Sequence, residues 1–93
     1  MKIVHIANFY SEKSGGIKTT INQFGILYQR SGHEFIYIVP GDKHGVELTP
    51  SGTKISLPSI PIPFSGGYRI IRSNRAIKQT LTVLRPERIE ISD

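Results

Sequence analysis

A strand, a helix and a second strand follow one another within the first forty residues, and no other feature narrows the possible folds as much. Lys2 to Ala7, "KIVHIA", is rich in β-branched residues and nearly all apolar, the pattern of a strand covered on both faces. Residues 8 to 16 are polar and close on Gly15 and Gly16. From Ile17 the apolar period changes. Ile17, Ile21, Phe24, Leu27 and Tyr28 recur at three- and four-residue steps, which places them on one helix face. Gly32 stands where a glycine ends a helix. "FIYIVP", Phe35 to Pro40, is then a second strand. A βαβ unit of this kind implies parallel pairing and a right-handed crossover.

The remainder is shorter and more broken. Residues 41–52, "GDKHGVELTPSG", read as loop, with "GVEL" at most a short turn of structure. "TKISLP", Thr53 to Pro58, is a third strand. "SIPIPF" is excluded as a central strand because its prolines remove ladder donors, so it is expected as an extended surface segment. "SGG", Ser65 to Gly67, is a second glycine hinge. Ile70, Ile77, Leu81 and Leu84 mark a second helix, capped by Ser73 and ended by Pro86. "RIEIS" is a fourth strand. The expectation is an α/β fold, a partial Rossmann-like parallel sheet of about four strands and two main helices. Such a set leaves one sheet face thinly covered, so the chain reads as the front of a larger protein.

Composition bounds the function classes. The chain has 93 residues, 38% hydrophobic and 20% charged, which suits one small globular domain. It has no cysteine, so neither disulfides nor cysteine metal sites enter. No run approaches the ~20 apolar residues of a membrane span, and "MKIVHIANFY" is too short for a signal sequence. A cytoplasmic location is expected. The net charge of +5 favours anionic partners, and Arg69, Arg72, Arg75, Lys78, Arg85 and Arg88 crowd the last quarter. A solvated helix face and a phosphate or lipid-headgroup surface both fit that cluster. No nucleic-acid motif accompanies it, and nucleic acid is not an expected partner.

The first loop, "NFYSEKSGGIKTT", carries most of the chemistry. It sits at the carboxyl edge of a parallel sheet, where ligands of open α/β folds bind. The helix beginning near Ile17 offers unpaired N–H groups and a positive dipole end. The loop matches neither the dinucleotide fingerprint nor the P-loop. On spacing alone, a phosphate loop and a plain turn both remain open. Phe9 and Tyr10 could line a pocket or pack on the loop. Asp93, at the carboxyl end of the fourth strand, is placed for a ligand contact. His5 reads as a core histidine and His33 as a turn residue. Nothing around His44 is spaced for a metal.

Taken in order, "IVHIANFYSEKSGGIKT", "SGHEFIYIVPG", "ISLPSIPIPFSGGYR" and "LRPERIEISD" resemble the N-terminal domain of retaining GT-B glycosyltransferases, of the glycosyl transferase group 1 or family 4 type. Within these, the chain is most similar to GDP-mannose-dependent mannosyltransferases acting on phosphatidylinositol mannosides. The resemblance implies that residues 1–93 are a truncated, acceptor-side domain. It implies a donor-phosphate and acceptor loop at Gly15, Gly16 and Ile17, and an acceptor side that includes Phe9, Tyr10, Gly66, Gly67, Tyr68 and Arg69. It also implies a nucleotide-sugar substrate, GDP-mannose in particular, with no metal or other cofactor. The implied partners are the missing C-terminal domain and an anionic membrane surface at the inner face. With the donor-binding domain absent, the chain alone is expected to be inactive. The rival reading is a non-catalytic Rossmann-like module that self-associates or binds a partner or a phosphate ligand.

Overall fold

The structure is a computed structural model and describes residues 1–11 and 15–92. The chain runs through β1 (Lys2–Ile6), β2 (Phe9–Tyr10), α1 (Gly16–Arg30), β3 (Glu34–Gly41), β4 (Gly45–Thr49), β5 (Gly52–Pro61), β6 (Arg69–Ile71), α2 (Asn74–Leu84) and β7 (Arg88–Ile91). The four strands and two helices read from the sequence are all present. Strands β3 and β7 flank β1 and run parallel to it, with Ile3 opposite both Phe35 and Arg88. Strand β5 runs parallel to β3. The order β5-β3-β1-β7 is thus the parallel block that the βαβ pattern implies.

The sheet as a whole is mixed, which corrects the expectation of a purely parallel one. Residues 45–49 are not loop: β4 pairs antiparallel with β5. Its Val46 and Leu48 are exposed, so burial leaves no alternating pattern to betray the strand. "SIPIPF" is not wholly outside the sheet either. Strand β5 continues to Pro61 and pairs antiparallel with β6. Pro58 lacks a donor, but its carbonyl accepts from the Arg72 amide at 3.0 Å. Ile70, expected on the second helix, lies in β6 opposite Phe9 and Ile60.

Alternation along β1 builds two cores. Ile3 and Ala7 meet Phe35, Tyr37, Val39, Tyr10 and Ile21 on the face that α1 covers, with Ile17 and Tyr28 at its margin. Val4 and Ile6 meet Ile36, Ile38, Ile55, Leu57 and Ile71 on the other face, under Ala76, Ile77, Leu81 and Leu84 of α2. The buried stripe of α1 is narrower than its apolar spacing implies, since Phe24 and Leu27 are 39% and 58% exposed. Gly25 takes the inner position instead. A Cβ there would overlap the Ser51 carbonyl oxygen and lie 2.9 Å from the Phe35 ring, so glycine sets how closely α1 approaches the sheet.

The helix ends follow the sequence reading. The Ser73 hydroxyl accepts from the Ala76 amide at 3.4 Å. Gly32, at φ 84°, turns the chain out of α1 as its amide donates to the Gln29 carbonyl at 3.0 Å. His5 is a core residue, buried between the rings of Phe24 and Phe35.

Candidate functional site

Pairing of β2 with β6 places Phe9 opposite Ile70 and Tyr10 opposite Arg69. The Ile71 amide secures the join by donating to the Asn8 side chain at 3.0 Å. This short ladder brings the first glycine loop and the Ser65–Gly67 hinge, far apart in sequence, to one place at the carboxyl end of β1. The Phe9 and Tyr68 rings meet edge to face, with centroids 4.5 Å apart at 86°. A Cβ on Gly15 would lie 2.8 Å from the Tyr68 hydroxyl, and Gly15 also has φ 114°. The backbone conformation restricts that position to glycine, while the Tyr68 hydroxyl sits at the end of a side chain that can move aside.

Gly16 opens α1, and a Cβ there would meet no described neighbour. The Gly15 carbonyl accepts from the Thr19 amide and hydroxyl, each at 3.3 Å. Among the described residues no side chain caps this helix start, and its first turn carries no acid. A helix start carries the positive dipole end that favours anions. Ile17 packs, partly buried, against the core beneath α1.

The second hinge is a closed turn. The Ile62 amide donates to the Tyr68 carbonyl at 2.9 Å. The Ser65 hydroxyl donates to the Ile62 carbonyl at 2.7 Å and accepts from the Tyr68 amide at 3.1 Å. Gly66 and Gly67 supply the positive φ angles, 77° and 96°, that the turn requires. Beyond it Arg69 is held along one edge. Its Nε donates to the Ser59 hydroxyl at 2.7 Å and its Nη2 to the Ser59 carbonyl at 3.3 Å. Ser59 is itself fixed, donating to the Gly41 carbonyl at 2.6 Å. Nη1 lies 3.3 Å from the Asp42 carboxylate.

A cavity of about 550 Å³ opens here, lined by Tyr10, Gly41, Asp42, Ser56, Gly67 and Arg69 among others. The structure thus gathers Phe9, Tyr10, Gly15, Gly67, Tyr68 and Arg69. Gly66 shapes the turn and Ile17 the core. Asp93 lies outside the described residues. Asp42, Ser56 and Ser59 were missed from the sequence. Asp42 had a usable signal, since it follows β3 at the same carboxyl edge as the first loop. Among the described residues no group of three His, Cys, Asp or Glu side chains could hold a metal ion. No helix there is long and apolar enough to cross a membrane.

Along its whole length the chain is similar to the GDP-mannose-dependent alpha-(1-6)-phosphatidylinositol dimannoside mannosyltransferase of Mycobacterium tuberculosis, from strains ATCC 25177 / H37Ra and CDC 1551 / Oshkosh. Identity is 42% over 94 aligned positions, covering 100% of this chain and 24% of each relative. The chain spans about a quarter of the length of these curated relatives, at their N-terminal end. No protein-family profile and no solved structure matches it. The similarity supports the N-terminal part of a glycosyltransferase.

Proposed function

We propose that the chain forms the acceptor-side, N-terminal part of a retaining GT-B-type glycosyltransferase that moves mannose from GDP-mannose to a lipid or glycan acceptor. The observation that carries this is the 42% identity along the whole chain to mannosyltransferases that are named for that donor. The gathered loops fit the chemistry. Transfer from a nucleotide sugar builds negative charge on the departing diphosphate, and preorganised donors are the efficient response. The α1 start beside Gly15 and Gly16 offers backbone N–H groups, and the cavity beside Tyr10 and Arg69 offers room for an acceptor. The donor nucleotide then belongs to the rest of the enzyme, and the isolated chain transfers nothing.

A chimera tests this. Residues 1–93 replace the matching quarter of the mycobacterial relative. Transfer from GDP-mannose to phosphatidylinositol dimannoside is expected, together with a loss of at least about tenfold on Gly15→Val. A folded chimera that binds GDP-mannose yet glycosylates neither lipid nor glycan acceptors would sink the proposal.

One further observation favours docking on an anionic membrane. Phe64 is fully exposed, at 108%, in a left-handed backbone conformation with φ 59°, at the tip of the closed turn. Arg72 and Arg75 are exposed beyond the turn. Strain that presents an aromatic ring to solvent calls for a function. Binding to anionic vesicles should weaken with salt and on Phe64→Ser. Binding indifferent to both would remove this role.

A further inference from the structure

We propose that the Tyr68 side chain is a gate on the first glycine loop, closed over Gly15 in the free chain and swung aside when a phosphate oxygen reaches the backbone there. The inference rests on the glycosyltransferase reading and adds a means of regulating its phosphate contact. A Cβ built on Gly15 would lie 2.8 Å from the Tyr68 hydroxyl and 3.9 Å from the Ile17 amide nitrogen. That amide belongs to the first turn of α1, where N–H groups have no helical partner. A ligand oxygen resting on Gly15 stands farther from its Cα than a bonded Cβ does, which puts it in the space of the phenol oxygen. The closed ring therefore excludes the ligand and does not assist it.

The ring is held lightly and its backbone firmly. The ring meets Phe9 edge to face, with centroids 4.5 Å apart. Among the described residues its hydroxyl makes no hydrogen bond. The Tyr68 amide, in contrast, donates to the Ser65 hydroxyl at 3.1 Å, and its carbonyl accepts from the Ile62 amide at 2.9 Å. Arg69, the next residue, is paired in β6. The gate thus moves by rotation about the bonds of its own side chain, not by opening of the turn. Tyr68 is partly exposed, so the ring has solvent to swing into. One edge-to-face contact favours the closed pose by about two- to tenfold. A ligand at the loop binds the open fraction alone, so the gate weakens its apparent affinity by a similar factor.

The test is an NMR titration of the 93-residue chain with inorganic pyrophosphate, read at the Gly16 and Ile17 amides. Tyr68→Ala should tighten binding by about three- to tenfold. Phe9→Leu keeps the gating ring but removes the ring it rests on, and should tighten binding by a smaller factor. Tyr68→Phe should not weaken it. Weaker binding by Tyr68→Phe or Tyr68→Ala would make the hydroxyl a ligand contact and overturn the gate. Equal binding by the parent and Tyr68→Ala, or no pyrophosphate binding by either, would overturn it as well. Should Tyr68→Ala fail to fold, Phe9→Leu decides, and unchanged binding there overturns the gate. The titration does not depend on sugar transfer. A chimera that transfers mannose while Tyr68→Ala leaves pyrophosphate binding unchanged overturns this inference alone. Tighter binding by Tyr68→Ala beside an inactive chimera overturns the transfer reading and leaves the gate standing.

Discussion

Two glycines in α1 and one just before it show how one residue type serves three physical ends. Gly15 is required by its backbone, at φ 114°, beside the Tyr68 hydroxyl. Gly16 has open space around a would-be Cβ and is tolerant of alanine in the fold. Gly25 is required by packing alone, with the Ser51 carbonyl and the Phe35 ring where a methyl would go. In an ordinary helix interior, Gly→Ala stabilises by about 0.5–1 kcal/mol. At Gly25 overpacking, typically about 1–3 kcal/mol, opposes that gain and wins because the obstruction is backbone. Gly25→Ala should therefore lower the thermal midpoint, while Gly16→Ala should hold or raise it. Equal behaviour of the two variants in thermal unfolding would contradict the close approach of α1 to the sheet.

Between elements, a polar tie joins α1, β1 and β7. The Tyr28 hydroxyl donates to Glu90 at 2.7 Å, while His5 Nδ1 and Arg88 Nε approach the same carboxylate at 3.4 and 3.5 Å. The Tyr28 hydroxyl is harder to ionise than the ordinary phenol at 10.0, first because it would lose its bond to Glu90, then because of burial and the carboxylate's charge. A pKa raised in the folded state means that this contribution to stability is full below pH 10 and is lost as pH rises through the folded value. Tyr28→Phe should cost about 1 kcal/mol at pH 8 in urea unfolding, and the gap to the parent should narrow by pH 11. A gap independent of pH would show that the bond contributes nothing. This tie, like the β2–β6 ladder, was illegible in the sequence. Periodicity revealed β1, α1, β3 and β7 because each carries its pattern within a few neighbouring residues. Phe9–Tyr10 and Arg69–Ile71 are too short for any period, and their pairing spans about sixty residues. Ile70 misled because its seven-residue interval to Ile77 fits a helix as well as chance. Asp42 and Ser59 gained their roles only when Arg69 was folded against them.

For the whole molecule, the uneven feature is the β7 edge. Among the described residues β7 pairs with β1 alone. Ile89 and Ile91 are 49% and 69% exposed along it, and Phe24 and Leu27 of α1 are open as well. Natural edge strands are usually blunted by proline, charge or a bulge, and an apolar edge invites pairing. Arg88 and Glu90 supply charge, but the Glu90 carboxylate is drawn inward to Tyr28 and His5. The chain by itself should thus self-associate at micromolar to millimolar concentrations. Ile91→Lys should reduce that association in sedimentation velocity while changing stability by no more than about 0.5 kcal/mol, since the side chain is already largely in water. The same edge bears on the enzyme reading. If the remaining three quarters of a mannosyltransferase cover β7, the chimera should sediment as a monomer where the chain alone does not, and Ile91→Lys should now destabilise it. A monomeric chain at high concentration would show the edge to be inert. Association that persists unchanged in the chimera would show that the rest of the enzyme leaves β7 open.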